Sequence, residues 1–176
     1  MDFKLPSEYQ MIKDTVSRFV KEELIPLEPA VLAREAKEGV CKLTSEEKAP
    51  LLKKCKELGL WGLDVPEEYD GMNLPAVAMV GINEAMGSTP VPFTFPPDSP
   101  NLHMLIETAD QNQKEKYLTP YARGEMSSAI AISEPGAGAD PSSMSTKAVR
   151  DGSDWIINGR KIWITRADEA DFTILI

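Results

Sequence analysis

The sequence contains few of the residues that disulfides and metal sites require. Of its 176 residues only two are cysteine, Cys41 and Cys55, and one is histidine, His103. The cysteines do not form a CxxC pair, and one histidine cannot build a zinc site with such partners. Cys55 falls on the apolar side of a helical pattern, which favours a buried free thiol over a disulfide or a metal ligand. We therefore expect no metal site.

Long apolar runs and an excess of basic residues are also missing. No segment approaches the roughly 20 apolar residues of a membrane span, and the N-terminus lacks the apolar core of a secretory signal. Nineteen basic residues against 28 acidic ones give a formal net charge of −9. This balance argues against nucleic acid or an anionic membrane as a partner, so an anionic ligand would need local donors such as backbone amides. We expect a cytoplasmic protein; a mitochondrial matrix protein without its presequence would have the same features.

Helical patterns begin the chain. Apolar residues recur at three- and four-residue steps from Tyr9 to Val20, and Pro26 and Pro29 are expected to end that helix. Residues 60–75 and the proline-rich run at 89–100 are expected to be irregular.

Two further helices have clear start and stop signals. Thr44 with Glu47 three residues later predicts a capping box, and Gly59 is expected to end the helix that follows. Pro75 opens another helix that runs to about Gly87. Residues 102–109 and 111–118 carry the apolar spacing of two shorter helices, so the first part of the chain predicts helices packed on helices.

The pattern changes near Gly124 from helical to β-rich. Residues 127–133, SSAIAIS, read as a buried strand, and residues 171–176, DFTILI, read as another. Asn158-Gly159 lies between two β-rich runs and predicts a hairpin with a type I′ turn. Because a few strands with unpaired edges do not make a stable sheet, we expect the chain to be a piece of a longer protein.

On the second arm of the predicted hairpin, KIWIT, strand alternation places Lys161, Trp163 and Thr165 on one face. An indole and a hydroxyl about 7 Å apart along a strand suit a planar heteroaromatic ring such as a flavin. A tryptophan packed against a domain interface is an equally good interpretation of the same pattern.

The segment SEPGAGAD, residues 133–140, is a candidate anion-binding loop. A dinucleotide fingerprint fails because the third glycine and the following helix are missing, and a Walker loop fails because no Gly-Lys-Ser/Thr follows. Glycines beside small residues can still present backbone amides to a diphosphate. By itself the loop fits a surface turn as well as it fits a ligand site.

The order of these segments resembles the acyl-CoA dehydrogenase family. Its members read roughly T-E-P-x-A-G-S-D and then N-G-x-K-x-W-I-T-N, which resemble SEPGAGAD and NGRKIWIT here. The upstream stretches LGLWGLDVPEEYDGMNLP and QNQKEKYLTPYARGE are similar to further family motifs, so the resemblance covers essentially the whole chain.

The resemblance implies an α+β fold: an all-α N-terminal helical domain, a β-barrel-like middle domain and a C-terminal four-helix domain. Residues 1–125 correspond to the helical domain and residues 126–176 to the first strands of an incomplete middle domain. The C-terminal domain is expected to be absent from this sequence.

The resemblance also implies FAD as the cofactor. The FAD contacts of the family carry over to residues of the strand, the loop and the hairpin, namely Ile130, Ile132, Ser133, Gly138, Ala139, Trp163 and Thr165. Ser133 stands where the family usually has threonine, and Ala139 replaces a serine that helps to hold both the FAD diphosphate and acyl-CoA. Arg166 stands where asparagine is common. We interpret Glu134 and Asp140 as structural residues.

The activity that the resemblance implies is α,β-dehydrogenation of an acyl-CoA thioester to the 2,3-enoyl-CoA, an oxidoreductase reaction of fatty acid metabolism. A glutamate of the C-terminal domain removes the α-proton and FAD takes the hydride, so no catalytic residue is assigned here and residues 1–176 alone are expected to be inactive. Implied partners are acyl-CoA, electron-transfer flavoprotein as electron acceptor, and further copies of the chain in a homodimer or homotetramer.

Two alternatives stay open. One is an enzyme of the same fold with different chemistry, such as an acyl-CoA oxidase, a nitroalkane oxidase or a flavin monooxygenase. The other is a non-catalytic subunit of a similar assembly, which the alanine at position 139 would favour.

Overall fold

Helices come first along the chain and strands follow, in the order that the sequence predicts. The computed structural model describes residues 4–97 and 100–176. The chain divides into two units, Met1–Ser99 and Pro100–Ile176. The first unit is helical, whereas the second begins with helices and ends with strands, as an α+β fold requires.

The first helix, α1, spans Ser7–Phe19 and continues without a break into a π-helical turn, Val20–Leu24. Helix α2 then spans Glu28–Glu38, and Gly39 ends it with a left-handed φ of 72°. Short 3-10 turns lie at Ile25–Leu27, Glu67–Tyr69 and Pro141–Ser143.

The prediction that Pro26 and Pro29 end the helical stretch is wrong. Pro26 lies in the 3-10 turn and Pro29 in the first turn of α2. A proline is tolerated in a first turn because its missing N–H would have no intrahelical acceptor there. The chain changes helix type at Val20 and again at Ile25, so neither proline lies in the interior of an α-helix.

Helix α3, Ser45–Glu57, begins with the predicted capping box. The Thr44 hydroxyl accepts a hydrogen bond from the Glu47 amide at 3.2 Å, and the Glu47 carboxylate accepts one from the Thr44 amide at 2.8 Å. The same carboxylate is 2.8 Å from the guanidinium of Arg34, which links α2 to α3. Gly59, with a φ of 68°, follows the helix as predicted.

Helix α4, Ala76–Met86, begins after Pro75, as predicted. The connection before it is irregular, and residues 89–97 have no regular structure. Asp98 and Ser99 of the predicted proline-rich run lie outside the described residues. Within the described ranges, no helix is long and apolar enough to cross a membrane.

Three phenylalanines lie at the centre of the first unit. Phe19 of α1 lies 5.6 Å from Phe93 and 5.5 Å from Phe95, measured between ring centroids, and the latter two are 5.9 Å apart. The proline-rich run therefore packs onto α1. Cys55 is fully buried and unpaired, as predicted, and burial raises the pKa of its thiol to about 12.

The second unit contains three helical segments and four strands. The helices are α5, α6 and α7, at Pro100–Thr108, Gln111–Gln113 and Thr119–Ala122, with a π-helical stretch at Lys114–Leu118. The strands are β1 to β4, at Ser128–Ala131, Lys147–Asp151, Asp154–Asn158 and Phe172–Leu175. Strands β1 and β4 pair in parallel, with Ser128 opposite Phe172, which confirms the two strands predicted for SSAIAIS and DFTILI.

Polar contacts fix the start of β1. The Asn101 amide group of α5 donates to the Ser128 hydroxyl at 2.8 Å, and both residues are buried. The Asp171 carboxylate, one residue before β4, accepts from the amide of Ser127 at 2.7 Å and from its hydroxyl at 3.0 Å. These contacts hold the two parallel strands in register at one end.

The predicted type I′ turn at Asn158-Gly159 is wrong. Strands β2 and β3 form an antiparallel ribbon in which Asp151 lies opposite Asp154, so the turn residues are Gly152 and Ser153. Gly152 has a φ of 62°, as the first central residue of a type II′ turn requires. Neither residue of the predicted turn has a left-handed φ. The ribbon is exposed on both faces.

The predicted strand alternation in KIWIT is wrong as well. Residues 159–164 form no strand, and Trp163 has a φ of 59°. Lys161 is nearly buried whereas Trp163 is 87% exposed, so they do not share a face. Gly159 serves a different purpose: a Cβ there would lie 2.2 Å from the Thr146 hydroxyl, so the backbone needs glycine for this close approach.

Replacing Phe19 by alanine should lower the free energy of unfolding by about 3–5 kcal/mol, because a buried ring with two aromatic neighbours is lost. Urea unfolding followed by circular dichroism measures this change. The matched control is Met11→Ala on the same helix, where the side chain is 65% exposed and a change within about 0.5 kcal/mol is expected. Equal losses in the two variants would contradict the described packing.

Candidate functional site

The candidate site is built on the loop that follows β1. The amide of Ala137 donates to the carbonyl of Glu134 at 3.3 Å, which closes a tight turn over Pro135 and Gly136. At the other end of the loop, the Asp140 carboxylate accepts from the amide of Ser142 at 2.9 Å and from its hydroxyl at 2.7 Å. These bonds lower the pKa of Asp140, whose role is to cap the following 3-10 turn. This agrees with the structural role expected for Asp140.

A buried ion pair holds the beginning of this loop. The Glu134 carboxylate accepts from the ammonium of Lys161 at 2.8 Å. It also accepts from the amide and the hydroxyl of Ser145, at 2.6 and 2.7 Å, and from the amide of Thr146 at 2.9 Å. The side chain of Glu134 is 2% exposed and that of Lys161 is 9% exposed.

The ammonium of Lys161 is satisfied in turn. Besides Glu134 it donates to the carbonyl of Ile132 at 3.0 Å and lies 3.6 Å from the sulfur of Met144. The neighbouring amide of Ile162 donates to the carbonyl of Ser133 at 3.0 Å. The segment that carries Trp163 is thereby attached to the end of β1.

These contacts determine the charge state of Glu134. Lys161 first, and then the hydrogen bonds from Thr146 and Ser145, hold the pKa of the carboxyl well below its usual range. Both of its oxygens already accept two hydrogen bonds each, so the carboxylate has no free position for a substrate proton. The contacts agree with the structural role expected for Glu134.

Trp163 is the most unusual residue of the site. Its side chain is 87% exposed, and its backbone lies in the left-handed region at a φ of 59°. That conformation is uncommon for a bulky residue and is found where the surrounding structure enforces it, often at ligand sites.

The other predicted site residues fall into two groups. Ile132 and Ser133 are exposed and are joined to the Trp163 segment by the bonds to their carbonyls, whereas Ile130 is half-buried in β1. Gly138, Ala139 and Thr165 are also exposed. Among the described residues, no hydrogen bond joins these three to the rest of the predicted set.

The loop leaves both space and donors for an anion. In the described part of the chain, the amides of Gly138, Ala139 and Asp140 donate to no acceptor. A Cβ built on Gly136 or Gly138 would meet no atom within 4 Å. Consecutive exposed amides without partners are suited to bind a phosphate or diphosphate, so the loop fits the diphosphate part of a nucleotide cofactor.

Sequence reasoning missed the residues that support the loop, which are Lys161, Ser145 and Thr146. One signal could have indicated them: a glutamate directly after a buried strand needs a cation and amide donors if it is itself buried. The described residues contain no group of three or more histidine, cysteine, aspartate or glutamate side chains that could hold a metal ion.

Comparison with known proteins gives consistent matches. The family model described as acyl-CoA dehydrogenase, N-terminal domain, matches residues 6–125, and the one described as acyl-CoA dehydrogenase, middle domain, matches residues 129–176. The chain is 40% identical over 177 aligned positions to the (R)-benzylsuccinyl-CoA dehydrogenase of Thauera aromatica, covering 96% of this chain and 44% of that protein.

Solved structures match in the same way. A putative acyl-CoA dehydrogenase from Mycobacterium abscessus superimposes with a TM-score of 0.84 at 29% identity, over 98% of this chain and 46% of that one. A glutaryl-CoA dehydrogenase from Mycobacterium smegmatis in complex with FADH2 superimposes with a TM-score of 0.69 at 28% identity, over 96% of this chain and 42% of that one. The chain thus spans less than half the length of each of these proteins.

Replacing Glu134 by glutamine should destabilise the protein at neutral pH, because the ammonium of Lys161 loses its anionic partner. A carboxyl with a lowered folded pKa stabilises fully above its unfolded pKa and loses this effect as the pH falls through the folded value. The difference in unfolding free energy between the two proteins should therefore be constant from about pH 8 to pH 5 and shrink only below about pH 4.5.

Urea unfolding of both proteins across this pH range measures the difference. A gap that already closes between about pH 8 and pH 6 would show that another group, and not the Glu134 carboxylate, is responsible.

Proposed function

The chain belongs to the acyl-CoA dehydrogenase family, and on this premise we propose that the whole protein is an FAD-dependent enzyme that oxidises an acyl-CoA thioester to the 2,3-enoyl-CoA. The homologue from Thauera aromatica supports the general activity, acyl-CoA dehydrogenation. Because the chain spans 44% of that protein, the activity is proposed for the whole protein.

The observation that carries the proposal is the exposed indole of Trp163 beside a loop with unpartnered amides. An exposed aromatic ring in an enforced backbone conformation is suited to stack on a planar heteroaromatic ligand. We propose that Trp163 and Thr165 bind the flavin ring together with Ile130, Ile132 and Ser133. The amides of Gly138 and Ala139 would bind the diphosphate.

FAD, when bound, supplies the hydride acceptor. The residues of this chain would bind and orient the flavin and exclude water from one side of it. Glu134 does not act as the base, because its carboxylate is fully occupied by Lys161, Ser145 and Thr146. We propose that the base that removes the α-proton is a glutamate of the family's C-terminal domain, which neither matched family model covers.

The proposed partners follow from the same premise. Acyl-CoA is the substrate and electron-transfer flavoprotein accepts the electrons. The working protein is a homodimer or homotetramer in the cytoplasm.

The proposal predicts that the whole protein purifies with bound flavin and that an acyl-CoA bleaches the flavin absorbance under anaerobic conditions. The panel of substrates should include benzylsuccinyl-CoA and glutaryl-CoA, after the relatives' names, and a straight-chain acyl-CoA. Reduced flavin that reacts rapidly with oxygen would favour the oxidase alternative. Bound flavin that no acyl-CoA reduces would contradict the proposed activity.

The 176 residues alone provide the matching control. We propose that they bind FAD weakly or not at all and catalyse no turnover, because the family places the base and the rest of the cofactor site in other domains. Purification of this chain by itself with flavin at near-unit stoichiometry would contradict this proposal.

Replacing Ala139 by serine in the whole protein should tighten binding of FAD or acyl-CoA. One additional hydrogen bond to a charged group contributes roughly 1.5–3 kcal/mol, which corresponds to about a 10- to 150-fold change in affinity. Titration calorimetry measures both ligands. Ala137→Ser is the control, since it adds the same hydroxyl two residues away, and no change is expected there. Unchanged affinity in Ala139→Ser would remove the one observation that favours a non-catalytic subunit.

A further inference from the structure

We propose that Glu134 and Lys161 form a positioning pair: their ion pair sets the position of Trp163 and so controls affinity for the flavin without touching it. This inference rests on the proposed function for its effect on flavin, while its effect on Trp163 can be measured without any ligand.

The pair lies beneath the site and does not line it. Both oxygens of Glu134 are used by Lys161, Ser145 and Thr146, and the side chains of the pair are nearly buried. Neither group has a free hydrogen-bonding position for a ligand. Any effect on binding must therefore act through the residues that the pair holds.

The segment held by the pair has few other attachments. Residues 159–164 belong to no strand, so no ladder of backbone hydrogen bonds fixes them. In the described part of the chain, the hydrogen bonds that join this segment to residues outside it come from the Ile162 amide and the Lys161 ammonium. The ammonium reaches Glu134 and the carbonyl of Ile132, and the amide reaches Ser133.

Trp163 lies two residues after Lys161 and one after Ile162. Its left-handed φ of 59° is unfavourable for a bulky side chain and persists only where neighbouring contacts impose it. Its side chain is 87% exposed and so has little packing of its own. The ion pair is therefore the contact best placed to hold the indole where it is.

The experiment uses the whole protein labelled with 5-fluorotryptophan. The fluorine resonance of Trp163 is assigned by its loss in Trp163→Phe. Lys161→Met should shift or broaden this resonance in the flavin-free protein and weaken FAD binding about tenfold or more, as the loss of an outer-shell support commonly does. Lys161→Arg keeps the charge and should retain most of the affinity.

Lys147→Met is the matched control. Lys147 is an exposed lysine at the start of β2 in the same unit, so this variant removes the same charge from the same unit. It should leave both the Trp163 resonance and the FAD affinity unchanged. A loss of affinity in this control equal to that in Lys161→Met would show a general charge effect and overturn the proposal.

A second variant covers the case in which Lys161→Met does not fold. The double variant Glu134→Gln/Lys161→Met leaves no unpaired buried charge and still lacks the ion pair. A folded single or double variant with a wild-type Trp163 resonance would overturn the proposal. A changed resonance in a protein that never binds flavin would support the positioning of Trp163 and contradict the proposed function instead.

Discussion

The candidate site depends on one buried carboxylate and its cation. Removing a charge from water is costly unless partners replace the lost hydration, and Glu134 obtains those partners from two distant parts of the chain, Lys161 and the Ser145–Thr146 backbone. The need to satisfy this charge joins the end of β1, the exit of the glycine loop and the tryptophan segment. The exposed ligand-facing residues are attached to this buried network.

Much of the helical part could be predicted because its signals are local. The Thr44 capping box and Gly59 define α3 from contacts within a few residues. The prediction failed at Pro26 and Pro29, where the sequence shows two helix breakers but the chain changes helix type and continues. Whether a proline ends a helix or begins the next one depends on the packing of the turns around it, which the local sequence does not contain.

The site could be located from the sequence but its geometry could not. Two competing turn signals occur, Asp151-Gly152 and Asn158-Gly159, and the first one forms the turn. Gly159 is instead required by the close approach of Thr146, thirteen residues earlier in the chain. Contacts between residues so far apart in sequence also give Lys161 its role, and no spacing rule within one segment encodes them.

The ribbon of β2 and β3 has a consequence for handling the protein. Its two strands form a sheet with no other strand, and the side chains of Val149, Trp155, Ile156 and Ile157 are each about half exposed or more. Open strand edges combined with apolar side chains favour self-association, and a lone pair of strands is only marginally stable in water. The net charge of −9 opposes such contacts, so the colloidal behaviour of this chain should depend strongly on ionic strength.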